Sequence, residues 1–293
     1  MNALLFYLLY PLIWVLTLLP LWIQYLLSDL LFALNFLFIG YRRKVVYLNL
    51  RNSFPEKSNN EIRTIARKFY RHLFDQMIES IALIHMSPKR ILKHMRFKNL
   101  EVFEDLYKKN KGVILVSGHY GNWEWLISLQ MLVSHKTLAI YKQLNNKYFD
   151  RMFTNMRSQY GMTPVKMNSI LRELINREQK NELTLTYSLG DQRPLFRHIQ
   201  YWTRFLNQDT PVYLGTEKIA RKKDLAVVFL KMRKIRRGIY ETVFIPLFEN
   251  SRETKEHEIT DKYLSILEKT IIERPEFWLW THKRWKHIKP DNV

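Results

Sequence analysis

Apolar and polar positions divide the chain into stretches of different character. Met1 to Ser28 carries no charged side chain and is dominated by Leu, Phe, Tyr and Trp; after Asp29, apolar residues resume through Leu30-Leu31-Phe32 to Phe38-Ile39. About 20 apolar residues suffice to cross the hydrocarbon core of a bilayer. The run is apolar all round rather than along one stripe, which argues against the half-buried helix of a soluble domain. Pro11 and Pro20 would kink or interrupt a continuous helix. A basic leader and a small-residue cleavage site, the marks of a signal peptide, are both missing. The pattern therefore predicts a membrane anchor over residues 1–40, either crossing the bilayer or lying in one leaflet.

Beyond it the period changes. Ser58-Asn59-Asn60-Glu61 has the form of a helix start, a polar cap followed by an early acid. Ile62, Ile65, Ala66, Phe69, Leu73, Met77 and Ile81 then recur at helical spacing, with Glu79 among them, until Ser87-Pro88. Short apolar runs at Val113–Val116, Leu138–Tyr141, Leu183–Tyr187, Ala226–Leu230 and Thr242–Ile245 predict strands. Helical patterns at Lys147–Tyr160 and Ser169–Gln179 lie between several of them. Strands separated by helices predict an α/β fold: a single layered domain over residues 41–293, with a central mixed sheet flanked by helices. No internal repeat or low-complexity linker divides it.

Composition narrows the chemistry. The 293 residues include no cysteine, which excludes disulfides, thiol nucleophiles and thiolate metal sites. The formal net charge is +20, from 47 Lys+Arg against 27 Asp+Glu, and implies anionic partners. Arg42, Arg43 and Lys44 follow the apolar segment directly; basic residues in that place favour the cytoplasmic side and attract anionic headgroups. Arg221-Lys222-Lys223 and the run Lys231 to Arg237 flank an apolar strand and would give one side of the domain a dense positive patch, suited to an acidic carrier protein or to lipid phosphates. Trp278, Trp280 and Trp285 alternate with Lys283, Arg284 and Lys286, a pairing suited to a membrane interface, although the first two tryptophans would fit a core equally well. A membrane-tethered nucleic-acid binder would also explain charge and interleaved aromatics. No helix-turn-helix, zinc or RNA-recognition signature supports that reading, and nucleic acid is not expected as a partner.

The chemistry concentrates in Gly118-His119-Tyr120-Gly121-Asn122-Trp123-Glu124. A histidine stands where a predicted strand ends and a helix, from Trp125 to Leu132, begins. Gly118 and Gly121 permit close backbone approach by a ligand. Asn122 can cap the helix, and Glu124 falls in its first turn. A carboxylate bonded to one imidazole nitrogen leaves the other free to take a proton from a hydroxyl. This is two-thirds of a hydrolase triad. Ser117 lacks the Gly-x-Ser-x-Gly setting of a nucleophile, so the acceptor would supply its own hydroxyl and group transfer would be direct. Backbone amides near the glycine turn could hold the developing oxyanion. Asp191-Gln192, after the strand at Leu183–Tyr187, is either a polar turn or a second wall holding the His119 loop or an acceptor headgroup.

These residues carry a resemblance. His119-x4-Glu124 resembles the signature of the glycerolipid and lysophospholipid acyltransferase superfamily. The longer string from Ser117 to Glu124 is similar to the lipid A late acyltransferases, the lauroyl and myristoyl transferases. Further fragments match in order along the whole chain: Arg42-Arg43, Asn49-Leu50 and Phe54-Pro55-Glu56; Tyr141-Lys142-x-Leu144-x-Asn146 with Asp150, Arg157 and Gly161; Asp191-Gln192; and Trp278-x-Trp280-x-His282-Lys283-Arg284-Trp285-Lys286. The resemblance implies transfer of a fatty acyl group from acyl carrier protein or acyl-coenzyme A to a hydroxyl of an anionic lipid acceptor, at the cytoplasmic face of the inner membrane, without metal or cofactor. His119 would be the general base and Glu124 its orienting partner. Gly118, Asn122, Lys142, Arg157, Asp191 and Gln192 would contact substrates, with Arg157 on a phosphorylated donor or acceptor. Lys142 stands where an arginine is usual, and loses the bidentate fork. A lysophospholipid, an aminolipid or another glycolipid remains an alternative acceptor. His282 is a further candidate for proton transfer.

Overall fold

The computed structural model describes residues 2–290. The N-terminal segment forms two helices, α1 (Asn2–Leu18) and α2 (Leu21–Leu34), parted at Pro20 and followed by a π-helical turn at Asn35–Ile39. Pro11 lies inside α1, which continues through it without the expected break. The helical stretch Leu21–Ile39 is 19 residues long and apolar enough to cross a membrane.

One face of α2 is nevertheless committed to the rest of the protein. Gln24, Tyr25 and Ser28 are buried there. α3 (Arg43–Ser53) and the long α4 (Asn59–Ala82) follow. Tyr25 donates to Glu79 Oε1 at 2.7 Å and Ser28 to Asp75 Oδ1 at 2.8 Å, both on α4. Arg237 bridges Asp29 and Asp75, at 2.9 and 2.6 Å. The opposite face leaves Trp22, Leu26, Leu30 and Leu34 exposed, and the π turn adds Leu37, Phe38 and Ile39.

The start of α4 is the one the sequence predicts. Ser58 Oγ accepts from Glu61 N and the Glu61 carboxylate accepts from Ser58 N, a reciprocal cap. Its end is not: α4 passes into a 3-10 turn at Leu83–His85, and Ser87 caps a new helix, α5 (Pro88–His94), with Pro88 in its first turn. The remaining helices are α6 (Glu101–Lys108), α7 (Lys147–Ser158), α8 (Ile170–Gln179), α9 (Gly215–Lys223) and α10 (Glu258–Glu273). The helix predicted from Trp125 is instead a 3-10 run over Trp123–Met131.

The strands are β1 (Met95–Phe97), β2 (Val113–Ser117), β3 (Lys136–Tyr141), β4 (Thr163–Lys166), β5 (Thr184–Leu189), β6 (Tyr201–Phe205), β7 (Gln208–Val212), β8 (Ala226–Arg236) and β9 (Ile239–Phe248). Seven form one mixed sheet in the order β1-β9-β8-β2-β5-β3-β4, and β6–β7 is a separate hairpin. β8, β2, β5, β3 and β4 run parallel, while β9 returns antiparallel to β8. Every residue of β2 is buried, as a central parallel strand covered on both faces requires. This is the predicted α/β layered domain.

Each predicted strand forms, and β8 outruns its prediction through the basic residues Lys231 to Arg236. Their charges are largely neutralised: Lys231 meets Glu273, Arg233 meets Glu241 and Lys234 meets Asp75, as do Arg237 with Asp29 and Asp75 and Lys223 with Glu178. The dense positive patch expected here is therefore mostly ion-paired. β1 and β4 escape an apolar-run search because they are only three and four residues long, and β4 carries Pro164, which an edge strand tolerates.

Candidate active site

β2 and β5 are adjacent and parallel, with Ser117 opposite Leu189. The chain leaving β2 at Gly118 and the chain leaving β5 at Gly190 therefore emerge side by side at the carboxyl ends of central strands. Open α/β sheets place ligands at that edge. A Cβ on Gly118 would come within 2.8 Å of Leu267 Cδ2 and 3.1 Å of Asp191 Oδ2, so a side chain here would displace Leu267 and crowd the Asp191 carboxylate.

His119 Nδ1 lies 2.6 Å from Asp191 Oδ1. Asp191 Oδ2 accepts from the His119 backbone N–H and from Trp278 Nε1, each at 2.8 Å. Both oxygens of this buried carboxylate are thus occupied. Burial alone would raise its pKa, but the His119 charge and these three donors outweigh burial and hold it at about 2. With Nδ1–H donated to Asp191, Nε2 is the lone-pair nitrogen; the Gln192 side-chain amide faces it at 3.1 Å. The imidazole retains 17% of its side-chain exposure. The Trp123 ring packs edge-on against it, 5.1 Å between centroids.

The carboxylate bonded to the imidazole is thus Asp191. Glu124 is turned to Arg157, with Nε to Oε2 at 3.0 Å and Nη2 to Oε1 at 2.6 Å, a bidentate pair. Burial opposes the Arg157 cation, but the Glu124 carboxylate more than restores it. The guanidinium sits over Tyr141 and Phe153, 5.9 and 5.8 Å from the ring centroids. Consecutive residues serve the two pairs: Trp123 packs on the imidazole and Glu124 holds the arginine.

Asn122 is turned into the protein interior. It is fully buried, its Nδ2 donates to Glu79 Oε2 at 2.8 Å and its Oδ1 caps Trp125 N at 3.2 Å. Glu79 also takes the hydroxyl of Tyr240 at 2.8 Å beside that of Tyr25, and burial raises its pKa. A carboxylate on the apolar face of α4 was the sequence signal for this buried anchor of the loop. The expected oxyanion donors are also spent. His119 N goes to Asp191, Tyr120 N to Gly118 O, Gly121 N to Phe277 O and Asn122 N to Met232 Sδ. Gly121 has φ +66°, the turn conformation that presents its amide to Phe277. Lys142 stands exposed just beyond β3.

The C-terminal motif packs against the site. Leu279 N donates to His119 O at 3.1 Å, and Trp278 and Trp280 are buried, which makes them core rather than interface residues. Asn49 on α3 holds that segment through the carbonyls of Trp280 and His282, both at 2.9 Å. His282 accepts from Arg193 N at 3.3 Å; burial, together with neighbouring cations, pushes its pKa down to about 4, so it acts as a neutral acceptor. Among the described residues no group of three or more His, Asp or Glu side chains could hold a metal ion.

Acid sensitivity follows from Asp191. Its folded pKa, about 2, lies below the ordinary 3.8. The carboxylate therefore stabilises the fold fully above pH 3.8, and that contribution drains away as pH falls through about 2. The difference is worth about 2 kcal/mol. Denaturant midpoints in neutral detergent between pH 5 and 2 should show wild type losing stability that Asp191→Asn does not lose; parallel curves would contradict the assignment.

Fold and site together define an α/β protein with a part-exposed imidazole bonded to a buried carboxylate at the end of a central strand, beside an apolar helical flank. The chain belongs to the bacterial lipid A biosynthesis acyltransferase family, whose model matches residues 2–287. It is 26% identical over 285 residues to the lipid A biosynthesis lauroyltransferase of Escherichia coli (strain K12), covering 96% of this chain and 90% of that one. It is 24% identical to the palmitoleoyltransferase of the same organism over 250 residues, covering 85% and 80%. With the myristoyltransferase the identity is 22% over 255 residues, covering 86% and 77%. Membership places the chain among the acyltransferases of lipid A biosynthesis.

Proposed function

We propose that this protein moves a fatty acyl chain from an acyl thioester, on acyl carrier protein or coenzyme A, to a hydroxyl of a lipid A precursor. His119 Nε2 takes the hydroxyl proton as the oxygen attacks the thioester carbonyl. The new C–O ester bond forms, the C–S bond breaks, and the proton passes from the imidazolium to the departing thiolate. Asp191 holds the tautomer and stabilises the imidazolium while the charge lasts. The 2.6 Å contact between His119 Nδ1 and Asp191 is the observation that carries this reading.

With the glycine-turn amides occupied, Arg157 is the cation we assign to the developing oxyanion or to a donor phosphate, with Glu124 as its positioning partner. Gly118 and Gln192 border the reacting atoms, and Lys142 is an outer contact for acceptor phosphate. The hydrogen bond from Ser28 of α2 to Asp75 and the ion pair of Asp29 with Arg237 favour an anchor that lies in one leaflet with its apolar face outward, over a helix that leaves the domain to cross the bilayer. Positive charge after the apolar segment supports the cytoplasmic face of the inner membrane.

Mass spectrometry of total lipids from cells expressing wild-type or His119→Ala protein tests this. Lipid A species one acyl group short should accumulate with the variant. Unchanged lipid A together with altered phospholipid would move the protein to lysophospholipid acylation.

A further inference from the structure

The cations on this surface are unevenly neutralised. Four of the five along β8 and the following turn are paired, Arg236 being the exception. Around one groove they are not. Arg42, Arg43, Lys44 and Arg51, from the start and body of α3, and Arg63 of α4 line a depression of about 1210 Å³ with Gly40, Val45, Tyr47 and Leu48. All five cations are exposed. Among the described residues none of them forms an ion pair, and no carboxylate lines the groove. Their hydrogen bonds run to neutral atoms: Arg42 to Thr281 O, Arg43 to Phe36 O and Arg51 to Asn59 Oδ1. The first acid of α4, Glu61, is occupied by its own cap at Ser58. Five like charges held around one hollow repel one another, and a bound anion relieves that repulsion.

Position names the kind of anion. The groove begins at Gly40, where the exposed apolar ridge Leu37-Phe38-Ile39 ends, and the Arg43 guanidinium lies 5.5 Å from the centroid of the Phe36 ring. Leu48, exposed, adds an apolar wall. A partner fitting both halves has a phosphate and a hydrocarbon chain. The helix that lines the groove also reaches the His119 site: on its buried side Asn49 of α3 binds the segment of Trp280 and His282, and Trp278 of that segment binds Asp191.

We propose that this groove is a binding site for the phosphate-bearing headgroup of a membrane lipid, which seats the protein against the bilayer with the His119 site at the headgroup level. The inference rests on the leaflet-lying reading of the N-terminal helices given above. It does not depend on acyl transfer, because its readout is binding.

The test uses the full chain in neutral maltoside micelles, titrated calorimetrically with dioctanoyl phosphatidic acid or dioctanoyl phosphatidylcholine. Wild type should bind phosphatidic acid at least about tenfold more tightly, since the choline cation is repelled where a bare phosphate is drawn in. Arg51→Gln/Arg63→Gln should weaken phosphatidic acid by about 10- to 30-fold and leave phosphatidylcholine unchanged. Both residues are exposed, so the fold should persist. If the melting temperature nevertheless drops, the single Lys44→Gln should still lower phosphatidic acid affinity several-fold. Equal affinity for the two lipids, unaltered phosphatidic acid binding in the variants, or inorganic phosphate binding as tightly as the lipid would each overturn the proposal. Loss of lipid preference with normal acyl transfer would leave the catalytic reading intact, and the reverse result would spare the groove.

Discussion

His119→Ala should yield a folded protein that transfers acyl groups about 10²–10⁴-fold more slowly, the usual worth of a positioned general base. The fold should survive because the backbone of this residue does the structural work. Its N–H still reaches Asp191 and its carbonyl still receives Leu279 N. Asp191 also keeps Trp278 Nε1. What disappears is the nitrogen able to accept the acceptor's proton. Turnover with an acyl thioester donor in neutral detergent, beside a melting curve, measures both parts. A folded variant with undiminished turnover would falsify the role of His119 and, with it, the direct-attack mechanism.

Asp191→Asn should be nearly as damaging, on the order of 10²–10⁴-fold in kcat with a small change in KM, since it acts through the imidazole and not on the substrate. Asparagine offers one acceptor where the site needs three N–H groups satisfied. If its oxygen faces His119 N and Trp278 Nε1, its amide faces Nδ1, drives the proton to Nε2 and abolishes the base. If the oxygen faces Nδ1, the amide collides with two donors. Glu124→Gln leaves the imidazole's own partner in place and weakens only the grip on Arg157, so it should show in KM as well as kcat. Should Asp191→Asn prove harmless while Glu124→Gln stops turnover with KM preserved, the orienting role returns to Glu124. The comparison is informative because sequence spacing favours one acid and geometry the other.

Much of this molecule is legible in order along the chain. The cap at Ser58, the apolar runs that become β2, β3, β5, β8 and β9, and the break at Pro20 are local decisions, governed by side-chain propensity and hydrophobic period. The 3-10 run after Asn122 departs from that logic. Asn122 and Trp125 Nε1 are both tied to Glu79 of α4, and that tertiary hold sets the local backbone. The basic stretch after Leu230 reads as a dense positive patch beside the strand until Glu273, Glu241 and Asp75 come within reach of its cations.

By itself the sequence determined that the protein is an α/β domain with an apolar helical flank, that its reactive imidazole stands at the end of a central strand, and, through its ordered motifs, that it belongs with lipid acyltransferases. Which acid serves that imidazole was decided only in three dimensions. Glu124 is five positions from His119, yet points to an arginine 33 positions further on; Asp191 is 72 positions from His119, yet lies 2.6 Å from its ring because β2 and β5 are parallel neighbours whose ends coincide. Spacing along a chain reports which side chains could meet. Strand pairing, which brings distant ends into register, selects the pair that does.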